Sequence, residues 1–164
     1  MLKVAELNAM SREEFTRVLG PVFEHSPWVA ARSCARRPFE NREQLRTTMC
    51  ETVEHATADE KLALIRAHPD LVGRAVLTSE SQAEQASAGL GNLSATEMTR
   101  FEKYNRGYRE RFGFPFVICA RLNKKEAILR AFPERLLHSR EKEIETALGE
   151  IYKIAELRLR DLIP

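Results

Sequence analysis

Residues 93–113, LSATEMTRFEKYNRGYRERFG, decide the fold class. Ser94 and Glu97 have the spacing of a capping box, in which the serine side chain accepts from the third helical N–H and the glutamate reaches back to the serine N–H. Leu93 and Met98 flank the box as its hydrophobic staple. Phe101, Tyr104, Tyr108 and Phe112 then recur at three and four residues, the period of one helical face, up to Gly113, a residue that tolerates a left-handed stop. The same grammar repeats outward. Toward the amino terminus, Ser81-x-x-Glu84 is read as a capping box closed by Gly89. A helix starting near Asp59 carries Leu62, Ile65 and Ala67 and should stop before Pro69, which disfavours helical dihedrals in the preceding residue. Asn41-x-x-Gln44 opens a helix with Leu45, Met49, Val53 and Ala56 at helical spacing. Ser26-Pro27 reads as a cap followed by proline at the first helical position, and Ser11-x-x-Glu14, stapled by Met10 and Phe15, as a box ended by Gly20. Toward the carboxyl terminus, Asn123-x-x-Glu126 opens a helix expected to end before Pro133, and a last helix covers about 139–162. The single strand candidate, FPFVIC at 114–119, contains Pro115 and is demoted to a buried extended or loosely helical segment. The expectation is an all-α, single-domain bundle of about eight helices over residues 1–164.

Composition agrees. With 164 residues the chain has the length of one domain, and 43% hydrophobic with 30% charged residues is ordinary for a soluble globular protein. Lys and Arg number 26 against 24 Asp and Glu, a net charge of +2, so the chain carries no global footprint for nucleic acid or an anionic membrane. Cys34, Cys50 and Cys119 are odd in number and widely spaced, which suits reduced thiols better than disulfides or a zinc site. Lys3, Glu6 and Arg12 break up any apolar leader, and no stretch approaches the ~20 apolar residues of a membrane span. The metal motif HExxH, paired CxxC and both glycine-rich nucleotide loops are absent, so neither metal nor nucleotide cofactor is indicated.

Three residues stand out for chemistry. His68 follows an apolar helix and precedes Pro69. Near the carbonyl end of a helix an imidazole can exchange protons at neutral pH, but capping the last turn would need the same position. Glu84 is either the reciprocal partner of Ser81 in a box or a carboxylate in a polar run, residues 79–85, at a helix start suited to anions. Arg158 lies within about 40° of the stripe formed by Ile144, Leu148, Ile151, Ala155 and Leu162 at 100° per residue, whereas Arg160 faces the opposite side. A guanidinium on a core-facing stripe should meet a carboxylate or an anionic ligand, unless it snorkels out near the helix end. His25, His55 and His138 sit among polar neighbours and read as surface residues.

The chain closely resembles the 2-oxo-4-hydroxy-4-carboxy-5-ureidoimidazoline (OHCU) decarboxylases of uric acid degradation. The matching blocks are FEHSPWVA at 23–30, AHPDL at 67–71, LTSESQAEQASAGL at 77–90, YRERFGFPFVICAR at 108–121 and LRLRDL at 157–162, in order and over nearly the whole chain. Two departures lie in loops: the stretch between Gly73 and Thr78 is short, and Gly91 stands where an aspartate is common. The resemblance implies an all-α, cofactor-free, homodimeric enzyme that converts OHCU to (S)-allantoin. It implies His68 as acid/base with Glu84 and Arg158 in catalytic roles. Pro69, Ser81, Gln82, Ala83, Glu84, Gln85, Phe116, Val117, Ile118, Cys119 and Ala120 would line the substrate. The terminal Asp-Leu-Ile-Pro lacks a peroxisomal signal, giving a cytoplasmic expectation. Two other readings stay open on residues alone: a non-catalytic helical binding module, and a metal-dependent amidohydrolase of the same pathway, which the missing metal motifs disfavour.

Overall fold

The computed structural model describes residues 1–73 and 76–164. Among them are nine α-helices and no strand: α1 (Val4–Ala9), α2 (Arg12–Leu19), α3 (Trp28–Ser33), α4 (Arg42–Glu54), α5 (Ala58–Arg66), α6 (Ser79–Ser87), α7 (Ala95–Phe112), α8 (Lys125–Leu136) and α9 (Arg140–Leu162). Short 3-10 turns cover Gly20–Val22, Cys34–Arg36 and Ala120–Leu122. The all-α expectation holds. Contacts divide the chain into two compact units, Met1–Ala67 with Tyr152–Pro164, and His68–Ile151. Among the described residues no helix is long and apolar enough to cross a membrane. Residues 74 and 75, within the short stretch noted after Gly73, lie outside the described residues.

In the first unit α2 packs on α3 and α3 on α4. Phe15, Leu19, Val29, Leu45, Met49, Val53, Leu64 and Ile65 are buried there. Each such side chain contributes about 1.5–3 kcal/mol when fully removed from water. The last residues of α9 are tied in by the Leu2 N–H, which donates to the Leu162 carbonyl at 3.0 Å, and by Arg42 Nη1, which donates to the Ile163 carbonyl at 2.6 Å. Tyr152 of α9 donates its hydroxyl to Glu54 of α4.

The second unit is built on aromatic rings. Tyr108, Phe112, Phe114, Phe116 and Phe132 are buried, with Phe116 stacked on Phe132 at 3.8 Å and Tyr108 edge-on to Phe116 at 5.3 Å. Residues 114–119 are buried and join neither a helix nor a sheet, in keeping with the demotion of this strand candidate by Pro115. Gly113 ends α7 with φ +79°, the left-handed stop that only glycine adopts without cost.

Local caps account for most helix starts. Ser11, Asn41, Thr57 and Ser94 each accept the N–H three residues on, and Glu97 completes the Ser94 box. Several details differ from the sequence reading. Gly20 is right-handed, φ −52°, and leads into a 3-10 turn instead of a left-handed stop. Ser26 donates its hydroxyl to the Glu24 carbonyl, and Pro27 becomes the cap of α3. Asn123 donates to the Cys119 carbonyl, so α8 starts after Lys124. Pro133 sits inside α8 without ending it: Ile128, Leu129, Phe132 and Arg135 are buried on the same helix, and that packing outweighs the lost backbone bond. α1 was not foreseen; its first turn is closed by the Lys3 N–H donating to Glu6 at 2.7 Å.

Candidate active site

Within the second unit, three segments carry the residues singled out by sequence: the loop from His68, helix α6, and the buried stretch through residue 120. His68 lies two residues beyond α5 and is 7% exposed. Pro69 beside it is half-buried.

α6 begins one turn earlier than Ser81 suggested. Thr78 is its cap, and the Ser81 N–H donates to Thr78 Oγ1 at 3.2 Å. The Ser81/Glu84 box therefore does not form, because the N–H that defines the start is already taken by Thr78. Glu84 falls in the middle of α6, half-buried, and its backbone carbonyl accepts from Ser87 Oγ at 2.6 Å. Ser81 is buried, while Gln82 and Ala83 are exposed. The Thr78→Ala variant should lose about 1 kcal/mol of stability in urea unfolding, the ordinary worth of a side-chain cap.

α6 packs on the Ala120–Leu122 turn, so the helix and the wall predicted to share a site do lie together. Phe116, Val117, Ile118, Cys119 and Ala120 are all buried. The Cys119 N–H donates to Glu150 Oε1 of α9 at 3.3 Å. Burial pushes the Cys119 thiol above its ordinary range, opposed by the Leu122 backbone and reinforced by the negative charges of Glu150 and Glu84. Glu84 and Glu150 thus both bear on the same point of the wall. Gln85 ties α6 to the loop that follows His68, because its Oε1 accepts the Val72 N–H at 3.2 Å.

A buried ionic network braces the same wall from behind. Arg135 Nη1 donates to the Val117 carbonyl at 2.6 Å, and its Nε donates to Glu143. Glu143 is fully buried and also accepts from Tyr108 Oη at 2.6 Å, while His138 Nδ1 lies 2.9 Å from its other oxygen. Arg135 stacks over Phe116 at 4.1 Å. His138, read as a surface residue, is in fact a half-buried member of this network, drawn in by a carboxylate five residues away. His25 and His55 are exposed as expected. Glu143 and Arg135 were missed in the sequence. At 100° per residue Glu143 lies roughly 100° from Ile144, outside the stripe that singled out Arg158, so that test does not find it.

Arg158 belongs to the first unit and is 5% exposed. Its Nη2 donates to the buried Glu24 at 2.8 Å and its Nη1 to the Pro21 carbonyl at 2.8 Å. The core-facing guanidinium therefore meets a carboxylate, one of the two partners the helix face required. Arg160 on the opposite face pairs with Glu156 at the surface.

In class this is an all-α protein in which α6 packs beside a buried apolar wall. A family model described as OHCU decarboxylase matches residues 8–160. A 2-oxo-4-hydroxy-4-carboxy-5-ureidoimidazoline decarboxylase of Haloferax volcanii is 44% identical over 160 residues, covering 98% of this chain and 95% of that protein. The crystal structure of an (S)-allantoin synthase superposes with a TM-score of 0.84 at 31% identity, over 100% of this chain and 54% of its own. A crystal structure of OHCU decarboxylase in the presence of (S)-allantoin gives a TM-score of 0.70 at 26% identity, over 82% of this chain and 89% of that one. The chain belongs to the OHCU decarboxylase family, and with it to the carboxy-lyases of purine degradation.

Proposed function

We propose that residues 1–164 form one catalytic domain that converts OHCU to (S)-allantoin and carbon dioxide without a cofactor. The observation that carries this reading is the packing of α6, with Glu84, against the buried wall that ends at Ala120, in the unit that also holds His68. Decarboxylation breaks the bond between the ring carbon and its carboxylate, and the electron pair needs somewhere to go. The C=N bond of the imidazoline takes it. The ring nitrogen of that bond and the carbon bearing the ureido group then each gain a proton, and the neighbouring hydroxyl loses one to become a carbonyl, so that one proton is taken up from solvent in each turnover. His68 is the group that moves these protons, and delivery from one face sets the (S) product. Glu84 accepts hydrogen bonds from ring and ureido N–H groups. Arg158 orients an anionic or carbonyl end of the substrate, its guanidinium plane held by Glu24 and Pro21. The backbone of Phe116, Val117, Ile118, Cys119 and Ala120, with Pro69 and the residues from Ser81 to Gln85, forms the lining. The apolar wall excludes water from the leaving carboxylate.

We also propose that the enzyme works as a homodimer, which the likeness to the family supports. Sedimentation should then give twice the monomer mass. The reaction itself is tested by generating OHCU from urate in situ. Its disappearance should accelerate in proportion to added protein, with one carbon dioxide released per molecule. A rate independent of protein concentration would refute the proposal.

A further inference from the structure

We propose that Asp70, Asn105 and Arg109 are positioning residues that fix the loop carrying His68, an inference that rests on the acid/base role proposed for that histidine. The loop is held from α7 at two points one helical turn apart. Asn105 Nδ2 donates to the Leu71 carbonyl at 2.7 Å, and Arg109 Nε donates to both carboxylate oxygens of Asp70, at 2.9 and 3.1 Å. Gln85 of α6 supplies the third anchor through the Val72 N–H.

The loop between these anchors is strained. Val72 has φ +59°, a left-handed conformation that a β-branched residue adopts only at a cost. Such a conformation persists where the surroundings over-determine it. The turn is also tight: the Gly73 N–H donates to the Asp70 carbonyl at 3.3 Å, and a Cβ on Gly73 would lie 3.1 Å from Asp70 Cβ. Asn105 shows the same priority. It is 8% exposed, and the orientation that feeds the Leu71 carbonyl leaves its Oδ1 buried without a hydrogen-bond partner among the described residues. Buried polar atoms are rarely left so, and here the loop's geometry gains from it.

The Arg109–Asp70 pair is well suited to separating position from stability. The arginine side chain is 49% exposed and the aspartate 27%, so the pair adds little to global stability. Its effect on activity should come through the direction of the His68 ring. A displacement of an ångström or less is enough to cost a catalytic group much of its effect.

The test uses Arg109→Ala, Asp70→Asn, their combination, Arg109→Lys, and Arg106→Ala as an exposed control on the same helix. Each of the first two should lower kcat about tenfold with KM changed less than about twofold, and the double variant should be no slower than either single one. Arg109→Lys should recover part of the loss. Unfolding midpoints should stay with that of the parent protein. In parallel, the ring-nitrogen NMR shifts of His68 at fixed pH should move in Arg109→Ala and stay put in Arg106→Ala. Unchanged kcat in the single variants, additive losses in the double, or a rise in KM alone would overturn the inference, as would unmoved His68 signals. If the parent protein turned over no OHCU, the decarboxylase reading would fall, and the His68 signals would still decide whether the Arg109–Asp70 pair positions the ring.

Discussion

Replacing Glu143 by alanine is expected to destabilise the protein by about 3–5 kcal/mol, the range found when one member of a buried ion pair is removed. Glu143 is fully buried and is the common acceptor for Arg135, Tyr108 and, when protonated there, His138. Its loss would leave Arg135, itself 6% exposed, as an uncompensated buried cation. Arg135 Nη2 already lacks a hydrogen-bond partner among the described residues, so nothing there stands ready to take the charge. Domains of this kind are stable by only about 5–15 kcal/mol, so the loss is a large fraction of the total. At roughly 2–4 °C per kcal/mol for a chain of this size, the unfolding midpoint should drop by about 10 °C. Glu143→Gln keeps an acceptor for Tyr108 and should fall between the two. Thermal unfolding followed by circular dichroism is sufficient; a midpoint unchanged in Glu143→Ala would mean that the network is not braced as described. The Tyr108 hydroxyl gives a second readout. Burial, and then its hydrogen bond to Glu143, pushes its pKa above the ordinary value, so removing the carboxylate should ease phenol ionisation in alkaline titration.

The second large effect is catalytic. His68→Asn should reduce kcat by about 10²–10⁴-fold while leaving KM within a few-fold, since positioned proton transfer contributes on that scale. Asparagine keeps a planar polar side chain of similar reach but cannot exchange a proton near neutrality. The substrate's own C=N remains as electron sink, so a residual reaction should persist, with a lower optical purity as protonation loses its preferred face. Glu84→Gln should raise KM as well as lower kcat, because its proposed contacts exist in the bound substrate before the reaction begins. A His68→Asn variant with near-parental kcat would end the acid/base assignment.

The parts of this molecule that were readable in sequence are those fixed by contacts three or four residues apart. Ser94 with Glu97, Asn41 with Gln44, and the aromatic face from Phe101 to Phe112 are local features, and all stand as read. The start of α6 was displaced by one turn because Thr78 and Ser81 both fit a cap, and only the packed helix shows which N–H goes where. Pro133 misled for the complementary reason: its local cost is overruled by the buried residues around it. The face of Arg158 was legible but its partner was not, since Glu24 lies 134 residues away in the chain. Asn105 was legible in principle, being a polar residue one turn from Phe101 on a buried face. Its target, the Leu71 carbonyl, is 34 residues away. Arg109 sits on the exposed side of α7 and gives no periodic signal, so its hold on Asp70 appears only in three dimensions.

The most direct test of the proposed decarboxylase is circular dichroism of urate treated with uricase and hydroxyisourate hydrolase, with and without this protein. OHCU decays unaided to racemic allantoin, so optical activity reports the enzyme alone. The expected signal has the (S) sign, grows at a rate set by protein concentration and is strongly reduced in His68→Asn. A racemic product formed at the unaided rate by folded protein would contradict the assignment.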